Sequence, residues 1–245
     1  MEMKIHQVEQ KFNSLCKLLA NNENNSSSTK IALIQELASV GPEGRSKLLS
    51  LILKQVISEK EPISFIYKYM YEILLQYKDS SILSILSKNF PSGIVPLESD
   101  LQVDYMPLQQ LLLRKQFQEA DQLTQDLLCK LSQIKSNHSR SWLYFTDIAY
   151  LPATDLKTID QLWRVHSLGL FGMSVQRKIW LCNNSDWEKF WYKIGWTVNN
   201  SARRYPQEFI WSVTAPKGHL PLFNQLRGVQ VLAALFTHPV WGEQE

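Results

Sequence analysis

The 245-residue chain carries 26 Lys/Arg against 23 Asp/Glu, with 44% hydrophobic and 20% charged residues. That balance fits one large globular domain or two small ones, and excludes collagen-like and wholly disordered chains. No apolar run reaches the roughly 18–20 residues of a membrane-spanning helix, and three Cys without paired spacing speak against a disulfide scaffold.

The N-terminus MEMKIHQVEQKF has neither a secretory apolar core nor a transit-peptide composition, so the protein is expected to work where it is made. Residues 1–99 hold 11 Lys/Arg against 10 Asp/Glu, and residues 100–245 hold 15 against 13. Neither half carries the dense basic stripe of a nucleic-acid footprint, and no nucleic-acid partner is expected.

The N-terminal part reads as short helices. Asn21–Thr29 is a polar loop in which Ser28 or Thr29 is placed to cap the next helix. Ile31, Ile34, Leu37 and Ala38 recur at helical spacing until Gly41-Pro42 stops one helix and opens another. Leu48, Leu49, Ile52, Val56 and Ile57 continue to the Glu61-Pro62 break. A third stripe runs through Ile66, Met70, Ile73, Leu74 and Tyr77, and a fourth through Ile82, Leu83, Ile85 and Leu86. This pattern predicts a small, helical-repeat-like bundle over residues 1–90. The turn-rich segment 89–97 marks a boundary, and a second domain is expected over residues 101–240.

That second part is also predicted to be all-α. Tyr105, Leu108, Leu111 and Leu112 form one stripe; Ala120, Leu123, Thr124, Leu127, Leu128 and Leu131 form the next. Leu156, Ile159, Leu162, Trp163 and His166 form a third, with Thr154-Asp155 as its expected cap. Phe171–Leu181 fits either a strand or a helix, whereas Trp187, Phe190, Trp191 and Ile194 are helical. Residues 197–218 lack periodicity and read as a long ordered loop, and Leu222, Leu226, Val229, Leu232, Ala233 and Phe236 predict a final helix.

Signatures of enzymatic chemistry do not emerge. The chain has no Gly-x-Gly-x-x-Gly, phosphate loop, nucleophile elbow or His-Glu-x-x-His, and its five His are scattered. Asp155 and Asp160 lie five apart, too far round one helix to act as a carboxylate pair, and read as helix N-terminal charges. No catalytic residue and no metal site is expected. What stands out is aromatic density beside isolated cations: all eight Trp lie at or after residue 142, and Arg203, Arg204 and Tyr205 share the long loop. Wide aromatic walls suit a large flat ligand, and a guanidinium suits a carboxylate on it. If Phe209–Val213 is extended, Phe209, Trp211 and Val213 share one side. The plainer alternative is that the Trp side chains simply fill a core.

The segments Trp142–Thr146, Leu156–Trp163, Phe171–Gln176, Lys193–Trp196, Ala215–Pro221 and Gln225–Gly228 closely resemble the genomes-uncoupled tetrapyrrole-binding regulators of magnesium chelatase, over about Val103–His238. The N-terminal helices are similar to those of cyanobacterial and algal-plastid members. The resemblance implies a non-catalytic, all-helical domain that binds protoporphyrin IX and Mg-protoporphyrin IX. It implies stimulation of the chelatase of chlorophyll biosynthesis through that enzyme's large porphyrin-binding subunit. Arg227 occupies the family's basic position in Gln-Leu-Arg-Gly, Gln230 stands where a second basic residue is found, and Tyr205 stands where Trp is frequent.

The expected ligand-binding set is Arg227, Arg204, Tyr205, Phe209, Trp211, Trp196, Leu220, Leu222, Trp163, Phe171, Val175 and His219. His219 reads either as an axial magnesium ligand or as part of a turn. The resemblance places the protein in the plastid (chloroplast) stroma or the cyanobacterial cytoplasm, with peripheral membrane association compatible. The competing function is a helical adaptor or scaffold that binds no pigment.

Overall fold

The computed structural model describes residues 2–20, 27–59, 63–136, 139–199, 201–222 and 229–244, with backbone alone at 2–5, 136, 243 and 244. Among the described residues the fold is all-α apart from one short ribbon, and the chain divides into two compact units, Met1–Ile94 and Val95–Glu245. Among the described residues no helix is long and apolar enough to cross a membrane.

The first unit comprises α1 (Glu2–Ala20), α2 (Ser27–Val40), α3 (Pro42–Ile52), a π-helical turn (Leu53–Ser58), α4 (Phe65–Gln76) and α5 (Ser80–Asn89). Its core gathers Leu15, Ile34, Leu37, Leu48, Ile52, Met70 and Leu74, all fully buried. Gly41 caps α3 at φ +140° and Pro42 takes its first turn, as the sequence indicates. Gly44 allows α3 to lie against α2, since a Cβ there would stand 2.0 Å from the Leu37 carbonyl oxygen. Ser28 and Thr29 do not cap α2; they are inside it, because the helix already begins at Ser27. The expected break at Glu61-Pro62 and most of the Asn21–Thr29 loop lie outside the described residues.

The second unit holds α6 (Met106–Leu113), α7 (Phe117–Ser136), α8 (Phe145–Ile148), α9 (Ala153–His166), α10 (Met173–Cys182), α11 (Trp187–Lys193) and α12 (Gln230–Phe236). An antiparallel ribbon, β1 (Thr197–Val198) with β2 (Ser201–Ala202), opens the segment between α11 and α12. A 3-10 turn, Pro239–Gln244, follows α12. The predicted final helix is shorter than expected: Leu222 is not helical, Val229 is the N-cap, and Leu226 is outside the described residues.

Two corrections concern helix starts. Thr154 and Asp155 do not cap α9, whose N-cap is Pro152. Asp155 is instead fully buried, where its carboxylate accepts from Ser99 Oγ at 2.5 Å, Tyr105 OH at 2.6 Å and the Asp100 amide at 3.0 Å. The ambiguous Phe171–Leu181 stretch is helical from Met173. Gly172 starts it at φ +134°, and the Asp160 carboxylate accepts from the Ser174 amide at 2.8 Å and hydroxyl at 2.7 Å. Both aspartates therefore tie segments together, which explains their charge without any catalytic pairing.

Candidate functional site

Two aromatic clusters lie within the core of the second unit. Trp163 is sealed among Phe117 (6.0 Å between ring centroids) and Phe171 (6.4 Å), and its indole N–H donates to Thr124 Oγ1 at 3.0 Å. Phe190 and Phe236 meet edge-on at 5.6 Å, with Trp187, Trp180 and Trp196 around them. Trp163, Phe171, Trp196 and Leu220 are each no more than 2% exposed. These four members of the expected ligand-binding set are thus buried in the frame, as are His219 and Leu222. Val175 is half-buried on α10.

On this frame sits the long loop. Gln176 of α10, fully buried, donates through Nε2 to the carbonyls of Gly218 (2.9 Å) and Pro221 (2.8 Å). The Gly218 amide donates to Leu170 O at 2.8 Å, and the Gly172 amide to Leu220 O at 3.1 Å. The end of the loop reaches α7, where the Leu222 amide donates to Asp121 Oδ1 at 2.6 Å. Asp121 is buried, with that bond its charge-stabilising contact among the described residues, and desolvation pushes its pKa up to about 8.

The outer part of the loop carries Tyr205, Phe209 and Trp211. Their ring centroids lie 5.9–6.5 Å apart, a compact triad. Phe209 is buried, Tyr205 is 40% exposed, and the Trp211 indole donates to Pro206 O at 3.0 Å. Phe209 and Trp211 meet directly, their ring centroids 6.2 Å apart, and Tyr205 packs against both, while Val213 lies in a turn. Of the two arginines, Arg203 is structural: Nε donates to Gly195 O at 2.8 Å, and a terminal nitrogen to Glu208 O. Arg204 is exposed, with its amide on the Glu208 carboxylate at 2.7 Å. In the chain it immediately precedes Tyr205 of the triad. Arg227 lies outside the described residues.

His219 is not placed to ligate a metal. Its ring is fully buried, with Nδ1 2.7 Å from Ile194 O and Nε2 accepting from the Ile210 amide at 3.1 Å. Both nitrogens are committed to backbone. Burial pushes its pKa down.

A second aromatic group was missed by periodicity. Tyr144, Phe145 and Tyr150 are 49–60% exposed, close together around the four-residue helix α8. Arg140 lies over the Tyr144 ring at 4.4 Å and meets Asp147 at 3.1 Å. The available signal was three aromatics in seven residues of a segment with no apolar stripe, because such a segment has no core to bury them in.

Helix α7 joins the two groups. Gln122 donates to Tyr205 OH at 3.3 Å, and Gln133 donates to Arg140 O at 2.7 Å. Eleven residues make three turns, so these glutamines share one face about 16 Å apart. Exposed aromatic rings therefore stand near both ends of that face, with the Arg140 guanidinium over Tyr144 at one end and the exposed Arg204 next to Tyr205 in sequence at the other. Such a surface suits a broad planar apolar body carrying an anionic edge. A separate groove of ≈ 700 Å³ on α11 is lined by Trp191, Tyr192, Lys189, Lys193 and Glu188, among others, and contains none of the predicted site residues.

Comparison with known proteins agrees with this architecture. The GUN4-like family model matches residues 98–239, and the ARM-like repeat domain, GUN4-N terminal, matches residues 6–91. The chain is 53% identical to the ycf53 protein of Porphyra purpurea over 196 residues, covering 80% of this chain and 82% of that one. It is 38% identical to the chloroplastic tetrapyrrole-binding protein of Arabidopsis thaliana over 143 residues, covering 55% and 54%. The structure of GUN4 from Chlamydomonas reinhardtii superimposes with a TM-score of 0.53 at 40% identity, covering 60% of this chain and 96% of that one. A family match spanning more than half of the residues, on the same helical frame, means that the chain belongs to the GUN4-like family.

Proposed function

We propose that this chain is a non-catalytic tetrapyrrole-binding protein of chlorophyll biosynthesis, which takes up protoporphyrin IX and Mg-protoporphyrin IX and stimulates magnesium chelatase through its large porphyrin-binding subunit. The observation that carries the reading is the Tyr205–Phe209–Trp211 triad. It is tied to α7 through the Gln122–Tyr205 hydrogen bond and follows the exposed Arg204 in the chain, in a protein similar to a chloroplastic tetrapyrrole-binding protein. A plastid stroma or a cyanobacterial cytoplasm is the proposed location.

The physical case rests on area and charge. Covering a few hundred Å² of a macrocycle at ~25 cal/mol per Å² yields several kcal/mol before ordering costs, enough for micromolar binding. Tyr205, Phe209, Trp211 and the half-buried Val175 supply or support the apolar contact; Trp196, Trp163, Phe171, Leu220 and Leu222 hold it in place from below. Arg204 and Arg227 are the proposed carboxylate anchors, Arg227 through the family's Gln-Leu-Arg-Gly position.

Titrating protoporphyrin IX into the full chain, with Trp fluorescence as readout, tests the ligand. Saturable quenching is expected, and no quenching at all would remove the ligand. Arg227→Ala is expected to weaken binding by about 1–3 kcal/mol, the loss of one charge-assisted bond. Unchanged affinity would remove that anchor. Adding the chain to purified chelatase should raise the rate of magnesium insertion; an unchanged rate would leave a binder without the regulatory role.

A further inference from the structure

His219 has more structural connections than a turn residue needs. Its amide donates to Pro216 O at 3.0 Å and its carbonyl accepts from the Trp196 indole at 2.8 Å. Its ring lies 5.4 Å from that of Phe209. A carbonyl oxygen only accepts, so the contact with Ile194 O requires the proton on Nδ1. Nε2 is then left with a bare lone pair, which the Ile210 amide fills. The neutral Nδ1–H form satisfies both partners, and neither the other tautomer nor the imidazolium does.

The backbone on either side of His219 has little room to shift. Gly218 sits at φ +80°, where a Cβ would be 2.7 Å from Ile179 Cδ1 and 2.9 Å from Ile194 Cγ2. Gly195 sits at φ +70°, where a Cβ would be 3.0 Å from Pro216 and 3.6 Å from His219 Nδ1. Helices α10 and α11 therefore clamp the main chain of His219, while its ring reaches out to the loop that bears the aromatic triad. Nothing else among its hydrogen bonds reaches Ile210, the residue between Phe209 and Trp211.

We propose that His219 is a positioning residue: its neutral ring fixes the register of the Phe209–Trp211 segment, and so shapes the pigment surface without touching metal or pigment. The link to pigment rests on the function proposed above; the hold on the loop does not. An asparagine amide reproduces the Nδ1 donor and loses the Nε2 acceptor, whereas a glutamine amide can place an oxygen where Nε2 stands. The two variants separate the Ile210 bond from the rest of the ring.

The experiment uses the full chain with His219→Asn and His219→Gln, measuring hydrogen exchange at the Ile210 amide, protoporphyrin IX affinity and Tm. Expected is about tenfold faster Ile210 exchange in H219N, as a buried bond is lost, with H219Q close to wild type. Pigment affinity should follow the same order while the Tm values of the two variants match. Equal exchange and equal affinity in both variants would overturn the proposal, leaving only packing. The ring nitrogen shifts of wild-type His219 give a check that needs no variant, and a ring protonated on Nε2 would overturn it too. If wild type binds no pigment, the functional reading falls, yet Ile210 exchange still decides whether His219 holds the loop.

Discussion

Two buried aspartates in the second unit face opposite circumstances. Asp155 accepts from two hydroxyls and one amide, so its charge is solvated by the protein itself. Asp121 accepts, among the described residues, from the Leu222 amide alone, and desolvation dominates, pushing its pKa up to about 8. A carboxyl that keeps its proton when folded, but ionises near pH 4 when unfolded, contributes stability below the unfolded value. That contribution drains away as pH rises toward 8 and is gone above it. Asp121→Asn retains an acceptor for Leu222 and cannot ionise. Thermal melts from pH 5 to 9 should therefore show the variant gaining on wild type as pH rises, with the largest gap at the alkaline end. A gap independent of pH would mean that Asp121 is not the titrating group. His219 and His238 have the opposite sign: burial holds both below the ordinary value, so the stability they contribute is present above about pH 6.5 and falls as the unfolded chain takes up protons.

At the level of elements, the loop between α11 and α12 is held by bonds to its neighbours rather than by regular structure. Gln176 holds two of its carbonyls and Leu170 O one of its amides, all near Gly218. Gly218→Ala should therefore act on the whole loop. Relief of unfolded-state entropy favours the alanine by about 0.4–1 kcal/mol. The strain of an alanine at φ +80° together with a 2.7 Å contact to Ile179 costs more, so a net loss of about 1–3 kcal/mol is expected, read as a lower Tm. A variant as stable as wild type would show that the loop is not clamped there. The same elements mark what was legible in the sequence. Apolar stripes revealed α2 to α7, α9 and α11, because a helix that buries one face must repeat at 3.6 residues. The triad in the loop was legible from composition, as three aromatics near two arginines. The partners were not: Gln176 and Pro221 are 45 residues apart, and Asp121 and Leu222 are 101 apart. Nor could spacing separate sealed Trp163 from partly buried Trp211, since burial is decided by what packs across the unit. The apolar stripe ran on through Val56 and Ile57, but these lie in the π-helical turn Leu53–Ser58, where no residue is buried, and the aromatics around α8 left no periodic trace.

Across the molecule, aromatic content and structure divide at the same place. All eight Trp and every proposed ligand-binding residue lie in Val95–Glu245, a unit of roughly 150 residues with its own aromatic core. A chain of that length buries enough apolar surface to fold alone. Met1–Ile94 has a core of leucine, isoleucine and methionine and matches an ARM-like repeat domain. Repeat helices of that kind characteristically present surfaces to partners, whereas flat apolar ligands favour rigid aromatic walls. Residues 95–245 expressed alone should accordingly bind protoporphyrin IX within about twofold of the full chain, because no anchor is removed. A loss of tenfold or more, about 1.4 kcal/mol, would place part of the pigment site in the first unit. Binding retained alongside lost stimulation of the chelatase would instead assign the N-terminal helices to contact with the enzyme, dividing pigment capture and partner contact between the two cores.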